Sequence, residues 1–501
     1  MQIIRGIEMN KHEQKPKIGL LSLYIELYDK SSPQKRVGID AFNKTIINEL
    51  EKRGLEIIAS PVCRIKSEFK SAVKAFEKDE VDAIVTLHLA YSPSLESSDI
   101  LAATKLPIIV LDTTPTYDFS SEQEMEQIFY NHGIHGVQDM CNLLNRNKKS
   151  FMIEAGHWEK SDVLDRIAGC ARAVKLANNI RNARVGRVGE SFKGMGDFAV
   201  DIETLRNTIG IETITFDNAE INEYRSEEVQ YIKTVDAGEV QREINQDLGM
   251  FESEGLDEEV HRQAVISNLI TRRWVEKEKL TAFTVNFLNI YRASVISSMP
   301  FMEASKAMAR GIGYAGEGDI LTAALVGALA SVYPETSFTE MFCPDWKNNS
   351  IFLSHMGEMN INLSAEKPVL KEMNFPYTDA YNPVAAYGRF KEGDVVYVNL
   401  APRADNKYAL IVAQGKMLGV NNIDNMKDGI HGWFKPKVTV PDFLEQYSKV
   451  GGTHHGAIVY YSSDKVDAGI NAGVEGIAGN VNIYKEIIKF GELMGWDVIE
   501  I

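Results

Sequence analysis

Cysteine is too sparse and too scattered in this chain to brace it or to hold a metal. Cys63, Cys141, Cys170 and Cys343 stand far apart among 501 residues, with no CxxC pair. A disulfide framework and a zinc–thiolate site are therefore not expected, and a reducing cytoplasm is the expected setting. Positive charge is not in excess either: 54 Lys and Arg oppose 70 Asp and Glu, a formal net charge of -16. Binding phosphates needs a basic surface, so nucleic acid is not expected as a partner. Long apolar runs are missing as well. The most apolar stretch, ILTAALVGALASVY at 320–333, falls short of the roughly 20 residues a bilayer requires. The opening MQIIRGIEMNKHEQKPK is too polar for a secretory leader, so no membrane association is expected. Histidine is scarce too, 10 in all, which singles out the adjacent pair His454 and His455 in GGTHHG.

What is present is an ordinary globular composition, 44% hydrophobic and 25% charged, on a chain of multidomain length. KIGLLSLY (17–24) reads as a buried strand. PQKRVGIDAFNKTIINELEKR then places Val37, Phe42, Ile46 and Leu50 near helical spacing, with Gly54 as the stop. LEIIAS, SEFKSAVKAFEK, VDAIVTLHLAY and LPIIVLDT continue the alternation of strand and helix. That alternation predicts a parallel sheet covered on both faces, with ligands beyond the carboxyl ends of its strands. HLAYSPS and DTTPTYD are then candidate pocket rims. SFMIEAGHW and a helix over about 161–181 follow, and ARVGRVGES and IETITFD restart the pattern. Residues 218–280 are acidic and helical in pattern, and beyond about 345 short strands with Gly, Pro and Asn turns take over. The expected fold is α/β: two Rossmann-like parallel-sheet domains, 1–180 and 181–345, then a β-rich, barrel-like domain, 346–501.

Four stretches join a turn to a side chain able to bind metal. GYAGEGD carries Glu317, TSFTEMF carries Glu340, FLSHMGEMN carries His355 with Glu358 three residues on, and GGTHHG carries the histidine pair. Two carboxylates with imidazoles and no thiolate suit Mn²⁺, Co²⁺, Fe²⁺ or Mg²⁺, with room left for substrate oxygens. Taken singly each is weak: Glu317 can be a residue favoured at a helix N-terminus, and the others solvated or satisfied side chains. In an extended segment neighbouring side chains point to opposite faces, so only one of His454 and His455 is expected to serve the site.

GYAGEGDILTAALVGAL, TSFTEM, LSHMGE and GGTHHG resemble, in order and rough spacing, the four signature segments of the L-arabinose isomerases, relatives of the L-fucose isomerases. The resemblance implies a Mn²⁺-dependent aldose–ketose isomerase acting on a small-molecule sugar through an enediolate. It implies Glu317, Glu340, His355 and His455 as metal ligands, with the two carboxylates as acid and base, and His454 turned elsewhere. It also implies that a histidine of YNHGIHGVQDM, His135 rather than His132, helps open the sugar ring. In that family the segment reaches a neighbouring subunit's active site, so a homo-oligomer, trimer or hexamer, is expected.

The substrate-reading positions depart from that family. L-arabinose isomerases carry a GSQHLYG-like segment after the first strand, whereas SLYIELYD keeps Tyr28 and has Ile25 where the glutamine stands. Tyr91 replaces the usual phenylalanine, and GRVGESFKGMGDF offers Phe192 and Met195 but adds Lys193. L-arabinose itself is therefore not the expected substrate. D-galactose, L-fucose or an anionic hexose such as sulfoquinovose is, with Lys35, Arg36, Arg187 or Lys193 as counter-charge. The competing readings are a non-catalytic sugar-binding protein on the same scaffold and a metal-dependent hydrolase.

Overall fold

In the computed structural model, residues 14–219, 233–419, 424–461 and 482–501 are described. The polar start 1–13, part of the acidic stretch (220–232) and Ser462 after the histidine-pair strand lie outside them. Contacts divide the chain into two units, one of 15–178 with 462–493, the other of 1–14, 179–461 and 494–501.

The first unit is built on five parallel strands, β1 (Lys17–Leu23), β2 (Glu56–Ala59), β3 (Ala83–His88), β4 (Ile108–Asp112) and β5 (Phe151–Ala155). Their order is β2-β1-β3-β4-β5, which puts the reversal of winding, and so the natural ligand crevice, between β1 and β3. All of β3 is buried, as both faces are covered. The helix Arg36–Glu51 packs Ile39, Phe42, Ile46 and Leu50 on one face of the sheet. Val37, read from sequence as part of that stripe, is 78% exposed. The run 39, 42, 46, 50 keeps the three-and-four spacing of a helix face, and 37 to 42 does not. Phe69, Val73 and Phe76 of the helix Lys66–Lys78 and Val137, Met140 and Leu144 of Gly133–Arg146 fill the opposite face.

The second unit opens with parallel strands β6 (Arg184–Val188) and β7 (Glu212–Phe216); after the two-residue β8 (Glu252–Ser253) come β9 (Ala282–Val285) and β10 (Gly313–Gly316). The order β10-β9-β6-β7 makes this a second, smaller parallel sheet. Against it lies the helix Ile320–Val332, buried at every residue. Its small side chains permit that approach: a Cβ on Gly313 would sit 2.3 Å from the Gly327 nitrogen. The acidic helices have a structural use. Glu243 and Asp247 hold buried Lys306, and Glu243 and Glu303 hold Arg272.

The β-rich part contains β11 (Thr336–Asp345), β12 (Ser350–His355), β13 (Val369–Glu372), β14 (Val384–Tyr387), β15 (Gly393–Pro402), β16 (Tyr408–Met417), β17 (Ile430–Pro436), β18 (His455–Tyr461) and β19 (Asp497–Glu500). Seven of them follow the order β15-β18-β11-β12-β17-β16-β19, and the pairing of β15 with β16 closes the sheet into a barrel. β13 pairs instead with β14 and with β8.

Candidate metal centre

Each of the four candidate ligands is placed by a different local device. Glu317 sits in the turn from β10 into the helix Ile320–Val332 with φ 61°, left-handed backbone that a non-glycine residue rarely adopts. That turn is clamped: the Glu317 N–H donates to Val285 O, and its carbonyl accepts from the Phe192 N–H at 2.9 Å. Gly316 must be glycine for a second reason, since a Cβ there would lie 2.5 Å from Cε1 of His355. Glu340 lies on β11 directly opposite His455 of β18 on one side and Ser354 of β12 on the other. A bulge between Met341 and Cys343 then shifts the register with β12, which resumes from Cys343 opposite Phe352, so the irregularity lies just past the carboxylate. His355 is the last residue of β12 and His455 the first of β18.

Carboxylates fix both imidazoles. His355 Nδ1 donates to Glu358 Oε1 at 2.9 Å, and His455 Nδ1 donates to Asp319 Oδ2 at 2.9 Å. Asp319 also caps the helix, accepting the Thr322 N–H at 2.9 Å, and Glu358 accepts the Gly357 N–H at 2.6 Å. With Nδ1 committed, Nε2 of each ring is the free nitrogen, the arrangement by which an outer carboxylate orients a metal-binding histidine. His455 Nε2 lies 3.6 Å from Glu317 Oε2, and His355 Nε2 lies 3.9 Å from Glu340 Oε2. All three of Glu317 Oε2, His355 Nε2 and His455 Nε2 are buried without a hydrogen-bond partner. Two overlapping triads, Glu340–His355–His455 and Glu317–His454–His455, each bring their ligand atoms within 4.8 Å of one another, and His455 is common to both, so the cluster suits a divalent ion. Phe338 presents its ring edge to His355 and His455, at 4.8 and 5.0 Å, and walls that side.

The electrostatics follow from crowding. Burial disfavours the His355 cation, but Glu358, Glu340 and Glu317 outweigh it and push its pKa up to about 9. Burial raises the Glu340 carboxyl against the pull of the histidines. A cation held by these side chains would take the place of the His355 proton as the balancing charge.

His454 does not turn away. Its Nδ1 donates to Asp197 Oδ2 at 2.5 Å, its ring lies 4.5 Å from that of His455, and Nε2 comes within 3.8 Å of Glu340 Oε1. The alternation expected of a strand fails because β18 begins only at His455, and His454 lies in the bend that precedes it. Asp197, Asp319 and Phe198, stacked 4.9 Å from His455, are site residues that sequence reasoning passed over. Asp319 is two residues from Glu317 in GEGD and could have been found. Asp197 is 257 positions from His454, and nothing local signals it.

The remaining sequence candidates fall in two places. Phe192, Lys193 and Met195 share the loop after β6. There the Ser191 hydroxyl donates to Gly318 O at 3.0 Å, Phe192 stacks on Phe287 at 5.5 Å and Lys193 is exposed. Tyr28, Tyr91, His132 and His135 gather in the first unit. His132 Nε2 lies 3.2 Å from the Tyr28 hydroxyl, Tyr91 lies 6.3 Å from His135 ring to ring, and the two histidines stand 5.6 Å apart. Ile25 precedes the short helix Glu26–Ser31 that carries Tyr28. Of the two histidines it is His132, rather than exposed His135, that contacts Tyr28.

Comparison with known proteins matches the L-arabinose isomerase central domain to residues 206–333 and the L-arabinose isomerase C-terminal domain to residues 335–468. L-arabinose isomerase 2 of Bacillus licheniformis is 25% identical over 411 residues, 78% of this chain and 82% of that one. The L-arabinose isomerases of Geobacillus thermodenitrificans and Geobacillus stearothermophilus are 22% and 23% identical, each over 92% of this chain and 94% of theirs. Among solved structures, the periplasmic arabinose-binding protein of Shewanella sp. ANA-3 is 13% identical over 63% of this chain and 84% of its own. Its TM-score of 0.15 is too low to support any inference.

Proposed function

Because the chain belongs to the arabinose isomerase-like family of sugar aldose–ketose isomerases, we propose that it interconverts an aldose and its 2-ketose at the centre formed by Glu317, Glu340, His355 and His455. The observation that carries this is the convergence of unpartnered Glu317 Oε2, His355 Nε2 and His455 Nε2, beside Glu340, with both rings locked by carboxylates. A Mn²⁺ held by those side chains, or Co²⁺, Fe²⁺ or Mg²⁺, would supply Lewis-acid stabilisation of the charge that develops on the sugar oxygens. Glu317 and Glu340 divide the proton traffic: one takes the proton from C2, beside the carbonyl, the other gives a proton to C1, and the C2 hydroxyl proton passes to the former carbonyl oxygen on C1, through an enediolate. Phe338 and Phe198 pack against the His455 ring and give the centre an apolar side. Opening of the sugar ring falls to His132 or His135, and with it goes assembly into a homo-oligomer, trimer or hexamer, in the cytoplasm. Light scattering on the purified protein checks the assembly.

The substrate is not L-arabinose but another aldose, D-galactose, L-fucose or sulfoquinovose, because Ile25 cannot hydrogen-bond a sugar hydroxyl as the glutamine of the family does. For the anionic option, Lys35 is already paired with Glu126 and Arg36 with Asp29 and Asp40, whereas Arg187 meets the neutral Thr215 hydroxyl. Arg187 and Lys193 are therefore the stronger counter-charge candidates, and Lys193 is exposed on the loop that clamps Glu317. Ketose formation from an aldose panel, with Mn²⁺ and then with EDTA, tests the whole reading: no turnover of any aldose by metal-loaded protein refutes it. Lys193→Met should depress turnover of sulfoquinovose and spare neutral hexoses; equal effects on both refute the anionic substrate.

A further inference from the structure

Three histidines face the centre, and they are not alike. His355 and His455 are sealed, with side chains 2% and 0% exposed, whereas the His454 side chain is 26% exposed. Its geometry is nonetheless fixed. Asp197 Oδ2 accepts both the His454 backbone N–H at 3.2 Å and the ring Nδ1 proton at 2.5 Å, so Nδ1 is spent and Nε2 is directed inward. That Nε2 is buried with no partner, and it lies within 4.8 Å of donor atoms of Glu317 and His455. A buried nitrogen left unsatisfied is destabilising, so a bound group is expected to satisfy it. The next residue, Phe198, stacks on His455 at 4.9 Å, so Asp197 and Phe198 anchor both members of the histidine pair.

We propose that Asp197 is a positioning residue for the substrate: it holds the His454 ring so that Nε2 meets a hydroxyl of the bound sugar, leaving the cation to Glu317, Glu340, His355 and His455. The proposal deepens the isomerase reading and rests on it. His454 touches substrate, and Asp197 acts through it. Because Asp197 sits in the loop that also carries Phe192, Lys193 and Met195, one short segment sets both the wall of the sugar site and the orientation of a polar group within it.

The experiment uses the full-length protein and calorimetric titration of Mn²⁺, then of L-arabinitol and galactitol into the Mn²⁺-loaded form. Asp197→Ala is expected to bind Mn²⁺ as the wild type does and to bind the polyol about tenfold more weakly, the loss of one buried hydrogen bond. Asp197→Asn, which keeps an acceptor oxygen, should recover part of that loss. The double variant Asp197→Ala, His454→Ala should bind the polyol no worse than His454→Ala alone, because Asp197 works through the ring. A loss of Mn²⁺ in Asp197→Ala as large as in His455→Ala would overturn the proposal by making His454 a metal ligand. Unchanged polyol affinity, additive losses, or a wild type that binds neither polyol would overturn it too. A wild type that binds Mn²⁺ and polyol yet isomerises no aldose refutes the isomerase reading and leaves the binding role of Asp197 intact.

Discussion

At the scale of the residue, one piece of wiring recurs. His355, His454 and His455 each give Nδ1 to a carboxylate, Glu358, Asp197 and Asp319, and present Nε2 to a common space. A neutral imidazole has one donor nitrogen and one acceptor, so the outer carboxylate decides which atom can bind a metal or a hydroxyl. Asp319 serves twice, as helix cap and as histidine anchor. Asp319→Asn should keep the cap and lose the charge, and Mn²⁺ affinity should fall ~10–100-fold with the melting temperature of the metal-free protein little changed. Glu317→Gln is expected to lower kcat by ~10²–10⁴-fold in the aldose assay while the circular dichroism spectrum stays that of the wild type. The raised pKa of His355 has a signed consequence. Its proton must leave for the nitrogen to take a metal, so Mn²⁺ affinity measured by calorimetry should rise with pH up to about 9 and level off above it. In the metal-free protein the sign is opposite. The pKa is raised on folding, so the stability that the His355 cation contributes is fully present below its ordinary value near 6.5. It is lost as pH rises through about 9.

At the scale of the element, the centre exists because strand ends and a strained turn are brought to one place. Glu317 depends on a turn in which glycine on each side does different work. Gly316 makes room for the His355 ring, and Gly318, φ 80°, completes the left-handed step. Gly316→Ala should therefore push His355 off its position and abolish tight Mn²⁺ binding in a protein that still folds; retained metal affinity would show that the turn can give. The helices around 237–309 carry a buried ionic cluster in which Lys306 neutralises Glu243 and Asp247. Removing one member of such a cluster strands its partners without water, so Lys306→Met should cost about 3–5 kcal/mol in a denaturant titration.

At the scale of the molecule, the second unit combines a parallel sheet, which delivers Glu317, with a closed barrel, which delivers Glu340, His355 and His455. A cation bound to all four ties the two layers together, so EDTA should lower the melting temperature, and free Mn²⁺ at about 100 times its Kd should restore ~2.7 kcal/mol. The sequence by itself determined the alternation that makes two parallel sheets and the change to β structure. It also marked the four segments that carry Glu317, Glu340, His355 and His455, because each has a local signal: hydrophobic period, turn residues, or a short motif. Even there, the side of a helix was misread at Val37, since one apolar residue off the stripe looks like any other until packing excludes it. The direction of His454, its tie to Asp197, and the choice of Nε2 on all three histidines were decided by the tertiary structure alone. The physical reason is that these depend on atoms far apart in the chain, 257 positions for Asp197 and His454 and 136 for Asp319 and His455. No local pattern of residues encodes which carboxylate a folded barrel will set beside which ring.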